Sequence, residues 1–94
     1  MQASSNGTVA QGRVTLPAHV DLHARPAADF VRTAMRFTAS IWVASGEKEV
    51  DAKSLLSILA LGAKRGSRLR LRAEGEDAVA AIDTLAATVA GLSE

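Results

Sequence analysis

The sequence predicts an α+β protein, an open-faced sandwich in which a four-stranded antiparallel sheet carries three helices on one face, in the order βαββαβα. Three observations predict it. Leu69, Leu71 and Ala73 alternate with Arg68, Arg70 and Arg72, the period-two signature of a strand with one face buried and one solvated. Two longer stretches, 27–35 and 79–89, repeat their apolar residues at helical spacing, and a short apolar helix lies between them. Finally, 94 residues with 48% hydrophobic content and no cysteine must be held by one core, without disulfides or thiolate metal sites. Strands that alternate in this way need cover on one face only, and helices on a single side supply it.

Residues 1–12 offer little to bury and read as a flexible tail, so the domain is expected to span 13–94. From Arg13, Val14 and Leu16 form a short strand with Thr15 on its other face, closed by Pro17. After a loop, Ala27, Phe30, Val31, Ala34 and Met35 mark the apolar face of the first helix. Pro26 belongs in its first turn, where the missing N–H has no helical partner. Ala39, Ile41 and Val43 alternate with Ser40, Trp42 and Ala44 in the second strand, which turns through Ser45–Lys48 into a third around Glu49–Ala52.

The second helix starts near Ser54, a natural N-cap, carries Leu55, Leu56, Ile58, Leu59 and Leu61, and stops at Gly62. After the Arg-rich strand, Glu76 and Asp77 precede a last helix with Val79, Ile82, Ala86 and Val89 on one face, their charges favourable to its dipole.

A net charge of +1 argues against wholesale nucleic-acid or membrane binding. Lys64, Arg65, Arg68, Arg70 and Arg72 still make a local basic patch, and Trp42 is expected on the same sheet face. A single-stranded nucleic-acid module is the competing class for that face, but one tryptophan without other sheet aromatics is thin support, so no nucleic-acid partner is expected. No stretch approaches the roughly 20 apolar residues of a membrane span and no signal peptide is evident, which fits a cytoplasmic protein that does not insert into membranes.

The strongest chemical constellation is Leu22-His23-Ala24-Arg25-Pro26-Ala27-Ala28, a histidine and an arginine at a proline-initiated helix start. A helix N-terminus offers unsatisfied N–H groups and about half a positive charge, so a phosphate placed there gains hydrogen bonds and a favourable field. Arg25 adds a charge-assisted contact, and imidazole is a nucleophile suited to reversible phosphorylation near neutral pH. Without further information, a lone histidine before a helix is more often a loop or capping residue. His19, Asp21 and His23 also form a loose histidine–carboxylate set, but a loop of this length assures no metal geometry, and no metal is expected.

His23-Ala24-Arg25-Pro26-Ala27 resembles the active-site motif of the histidine-containing phosphocarrier (HPr) family of the bacterial phosphoenolpyruvate:sugar phosphotransferase system. Ala52-Lys53-Ser54-Leu55 through Leu61-Gly62 resembles that family's second signature, and Ala73-Glu74-Gly75-Glu76-Asp77 its approach to the last helix. The resemblance is colinear from about Val14 to Leu92 and includes the βαββαβα order.

The resemblance implies a monomeric phosphoryl carrier, not an enzyme in its own right. His23 would accept the group through Nδ1 from the phosphohistidine of enzyme I and pass it to a histidine of IIA proteins in sugar uptake. Arg25 would stabilise the phosphate, the backbone amides of Ala24 and Arg25 would complete the cradle, and no cofactor would be needed. Leu55, Leu56 and Leu59 would dock the partners, although at their spacing all three could equally be core. Ser54 would be a regulatory site for a serine kinase/phosphorylase as well as a cap. The nitrogen-related branch of the same system shares the His23 motif and is the alternative pathway. One departure stands out: where members commonly have Asn-Gly, this chain has Val20-Asp21. It sets a carboxylate two residues from His23, to weaken phosphate binding or to hydrogen-bond nearby backbone.

Overall fold

A computed structural model of the chain describes residues 8–93. In chain order the elements are β1 (Val9–Thr15), α1 (Ala24–Ala34), β2 (Ser40–Ser45), β3 (Lys48–Asp51), α2 (Leu55–Leu61), β4 (Arg68–Glu74) and α3 (Ala78–Ala90). The four strands form one antiparallel sheet in the order β1-β4-β2-β3, so the fold class and element order are those the sequence predicts.

β4 is a central strand, pairing with β1 from Val9↔Glu74 to Thr15↔Arg68 and with β2 from Ser40↔Glu74 to Ala44↔Arg70. Its Leu69, Leu71 and Ala73 are buried under the helices, together with Ile41 and Val43 from β2. The helices contribute Ala27, Phe30, Val31 and Ala34 from α1, Ile58 and Leu61 from α2, and Ala78, Ala81, Ile82, Leu85 and Val89 from α3. Among the described residues no polar or charged side chain is buried, so the core rests on apolar burial alone.

Three expectations need correction. The first strand begins at Val9, not near Arg13, so residues 9–12 belong to the sheet and not to a flexible tail; residues 1–7 of that expected tail lie outside the described residues. Gly12 is what disguised the strand. A Cβ there would lie 2.7 Å from the Ile82 Cγ2, so the glycine marks the close approach of α3 to the sheet and not a loop. Met35 is 64% exposed because α1 ends one residue earlier and its side chain falls beyond the last packed turn. Val79 is 55% exposed because the buried stripe of α3 starts at Ala78 and continues through Ala81, Ile82 and Leu85, leaving Val79 about 100° off it.

The ends of α2 are as expected. The Ser57 N–H donates to the Ser54 Oγ at 3.2 Å, and Gly62 closes the helix at φ +64°, in the left-handed region that favours glycine. Asp77 sits at the N-cap of α3, but its carboxylate does not cap that helix; it accepts the backbone N–H groups of Thr38 and Ala39, both at 2.8 Å. The residue thereby ties the start of α3 to the start of β2. Those amides, that of Thr38 above all, hold its carboxyl below the usual aspartate value.

Candidate functional site

The loop leading to His23 is fixed by alternate burial. Leu16, Val20 and Leu22 are fully buried, while His19 is exposed and Asp21 half-buried. Backbone bonds anchor the same loop to the segment before β4: Leu16 N–H to the Ser67 carbonyl (2.9 Å), Leu22 N–H to the Ala63 carbonyl (2.9 Å) and Gly66 N–H to the Pro17 carbonyl (3.2 Å). Val20, one of the two departures from the family motif, is therefore a core residue.

His23 occupies the N-cap position of α1 with extended backbone (φ −147°, ψ 165°), and its side chain makes no capping bond. Its N–H donates to the Asp21 carbonyl at 2.9 Å and its own carbonyl accepts the Ala27 N–H at 3.3 Å, which orients the residue from both sides. The ring is exposed. Ala24 follows at φ +49°, the one described residue other than glycine with positive φ. A left-handed alanine costs about 1–2 kcal/mol, and Ala24, itself exposed, stands between the buried Leu22, Pro26 and Ala27. Pro26 has no N–H, and among the described residues the amides of Ala24 and Arg25 make no hydrogen bond. The first turn thus presents two free donors beside the imidazole. Arg25 is exposed, and its guanidinium has no partner among the described residues.

A shallow depression of about 260 Å³ opens beside the ring, lined by Asp21, Leu22, His23, Gly62, Ala63 and Lys64. Its floor is where the His23 loop meets the C-terminal end of α2. Asp21 accepts the Arg65 N–H at 2.8 Å and the Arg65 Nε and Nη2 at 3.4 and 3.3 Å. The Arg65 amide and then its side chain, helped by the charge of Lys64, hold the Asp21 carboxyl below its ordinary value. This carboxylate stays ionised beside the histidine, and it bonds backbone and a cation instead of turning toward α1. Larger hollows lie elsewhere: one of about 370 Å³ on the sheet between Gln11, Arg13, Glu49, Arg70 and Arg72, and one of about 560 Å³ between α1 and α3. Neither contains a histidine.

α2 settles which leucines are core. Ile58 and Leu61 are buried, whereas Leu55 is 42% exposed, Leu56 80% exposed and Leu59 half-buried. Ser54 stands at the other end of α2 from the depression, about 10 Å away along a seven-residue helix.

On the open face of the sheet the Arg72 guanidinium lies 4.0 Å from the centroid of the Trp42 ring and pairs with Glu49 (3.0 Å) and Glu74 (3.3 Å). The Arg70 Nη2 donates to the Gly46 carbonyl at 2.6 Å. Part of the basic stripe is thus engaged within the sheet. Among the described residues no group of three or more His, Asp or Glu side chains is placed to hold a metal, so His19, Asp21 and His23 are not brought together in that way. The Asp21–Arg65 and Asp77–Thr38/Ala39 contacts went unread in the sequence; Asp21 carried a signal, as the departure from the family motif beside His23.

Residues 10–91 match the family model described as "PTS HPr component phosphorylation site". The Phosphocarrier protein HPr of Buchnera aphidicola subsp. Acyrthosiphon pisum is 47% identical over 75 residues, covering 80% of this chain and 88% of the relative. A Multiphosphoryl transfer protein of Haemophilus influenzae is 45% identical over 87 residues, covering 88% of this chain, which spans only 17% of that longer protein. Among solved structures, the Phosphocarrier Protein HPr from Bacillus anthracis superimposes with a TM-score of 0.82 at 42% identity, covering 86% of this chain and 96% of that one.

Proposed function

The chain belongs to the HPr family of phosphotransferase-system phosphocarriers, and from that premise we propose that His23 is its phosphoryl acceptor, charged by enzyme I and discharged to IIA proteins in sugar uptake. The observation that carries this reading is the exposed His23 ring beside two amides and an Arg25 guanidinium that have no partner among the described residues. The Nδ1 lone pair attacks the phosphorus of the donor phosphohistidine, a new N–P bond forms, and the donor's N–P bond breaks with its electron pair returning to the donor ring. The step moves a phosphoryl group and nothing is oxidised or reduced. On His23 the dianion faces the Ala24 and Arg25 N–H groups, the positive end of α1 and the Arg25 guanidinium. Catalysis is then chiefly positioning, because the bonds made and broken are of the same kind.

Leu55 and Leu56 are the docking residues, with Leu59 at their margin, since the first two expose large apolar side chains as a surface on the helix whose C-terminal end borders the depression. Ser54 caps α2, and a phosphate added there by a serine kinase would place about two negative charges at the far end of that surface, acting on docking and not on the His23 cradle. These partners, the cytoplasmic setting and action as a monomer form one reading.

The test is incubation with phosphoenolpyruvate and enzyme I, followed by intact-mass analysis. A gain of about 80 Da that is acid-labile and absent from His23→Ala is expected. An unmodified wild-type chain, or equal modification of the variant, overturns the reading. Onward transfer to sugar-branch and nitrogen-branch IIA proteins then separates the two pathways.

A further inference from the structure

Asp21 sits two residues before His23 and lines the same depression, yet it is bonded away from α1, to the amide and guanidinium of Arg65. The pair joins the His23 loop to the segment before β4, which the Leu22–Ala63 and Gly66–Pro17 backbone bonds already hold. A tether is therefore partly redundant at this place, and the larger consequence of the pair is electrostatic. We propose that Asp21 and Arg65 are opposed positioning residues that set the charge around the phosphoryl group: Asp21 withdraws Arg65 from the site and repels the dianion, while Arg65 offsets that repulsion. The inference rests on His23 carrying the phosphoryl group.

Among the described residues, the other charged groups beside the site are Arg25, in the first turn of α1, and Lys64, which lines the depression; His19 lies on the loop before Asp21. With Arg65 held by Asp21, Arg25 and Lys64 are the cations left to the phosphate. The phosphohistidine is then less stabilised than the basic residues in this region would allow, which suits a carrier that must release its cargo. The His23 N–H bond to the Asp21 carbonyl closes a tight turn, so the two backbones lie within the roughly 7 Å that two extended residues would span. For side-chain charges about 7 Å apart in water, one charge shifts the stability of a bound dianion by about sevenfold without salt and about twofold with physiological screening.

The sign pattern of three variants tests this. Asp21→Asn, Arg65→Gln and the double variant are equilibrated with enzyme I and limiting phosphoenolpyruvate, and the phosphorylated fraction is read by intact mass. The phosphate ionisation is followed by phosphorus NMR, and thermal melts check that each variant is folded. Asp21→Asn keeps a carbonyl acceptor for the Arg65 amide, and Arg65→Gln keeps the amide itself. Asp21→Asn is expected to raise the phosphorylated-to-free ratio two- to sevenfold and to lower the phosphate pKa by about 0.2–0.4. Arg65→Gln is expected to move both in the opposite direction, and the double variant to return near wild type. A merely structural tether moves both single variants the same way, and that result overturns the proposal, as does the absence of change in both. A wild-type chain that takes up no phosphoryl group refutes the phosphocarrier step itself, a failure read before any variant is compared, and the inference falls with it.

Discussion

Truncating Leu56 to alanine is expected to weaken phosphoryl uptake from enzyme I while leaving the fold intact. The side chain is 80% exposed, so only a fifth of it is engaged within the chain. Removing three carbons forfeits about 0.8 kcal/mol for each one buried. If a partner covers the exposed four-fifths, the loss is about 1.9 kcal/mol of docking, or roughly 25-fold in KM. The cost to folding stays within about 0.5 kcal/mol, or about 2–4 °C in melting temperature for a domain of this size. The assay is initial-rate transfer from phosphorylated enzyme I with the carrier varied, alongside a thermal melt. Ile58→Ala is the control: this residue is fully buried two positions on, and its truncation is expected to cost about 2–5 kcal/mol of stability. A Leu56→Ala KM within threefold of wild type, with kcat unchanged, would refute docking through this part of α2.

Ser54→Ala removes the hydroxyl that accepts the Ser57 N–H and is expected to cost about 1 kcal/mol, seen as a fall of about 4–8 °C in the melt. Ser54→Asp, which can still cap, is expected to melt near wild type yet dock more weakly to enzyme I. Because the folded-state pKa of Asp77 lies below its unfolded value, its contribution to stability is present above the ordinary value of 3.8 and lost as pH falls through the folded-state pKa. Asp77→Asn should flatten the acid limb of the stability–pH curve, and an unchanged limb would show that its two amide contacts carry no such linkage. Arg72→Gln uncovers the Trp42 ring and is expected to shift its fluorescence to longer wavelength; an unchanged spectrum would mean that the guanidinium does not rest on the indole in solution.

Most of the strands and the order of elements along the chain were legible because Leu69, Leu71 and Ala73 can satisfy only one pattern of burial, and because Ser54 and Gly62 punctuate α2 through local hydrogen bonding and backbone preference. Gly12 misled for the opposite reason. Its requirement comes from Ile82, seventy residues away, and no local pattern carries that contact. Met35 and Val79 were assigned by period alone, which does not say where a helix stops or which neighbouring stripe meets the sheet. At the candidate site the motif located His23 and Arg25, but the exposure that separates Leu56 from Ile58, and the partner of Asp21, depend on how α2 and the 63–66 segment pack. Those are tertiary facts.

The strand order bears on how the molecule comes to exist. β1 pairs with β4 alone, joining Thr15 to Arg68 across 53 positions and Val9 to Glu74 across 65. Until β4 pairs with it, β1 must wait with its backbone donors and acceptors unmatched. The β2–β3 hairpin and the short helices can form locally meanwhile, but the sheet closes only when its late-arriving strand slides between β1 and β2. Assembly is therefore limited by long-range closure, and the waiting strand is the segment most exposed to mispairing with another copy.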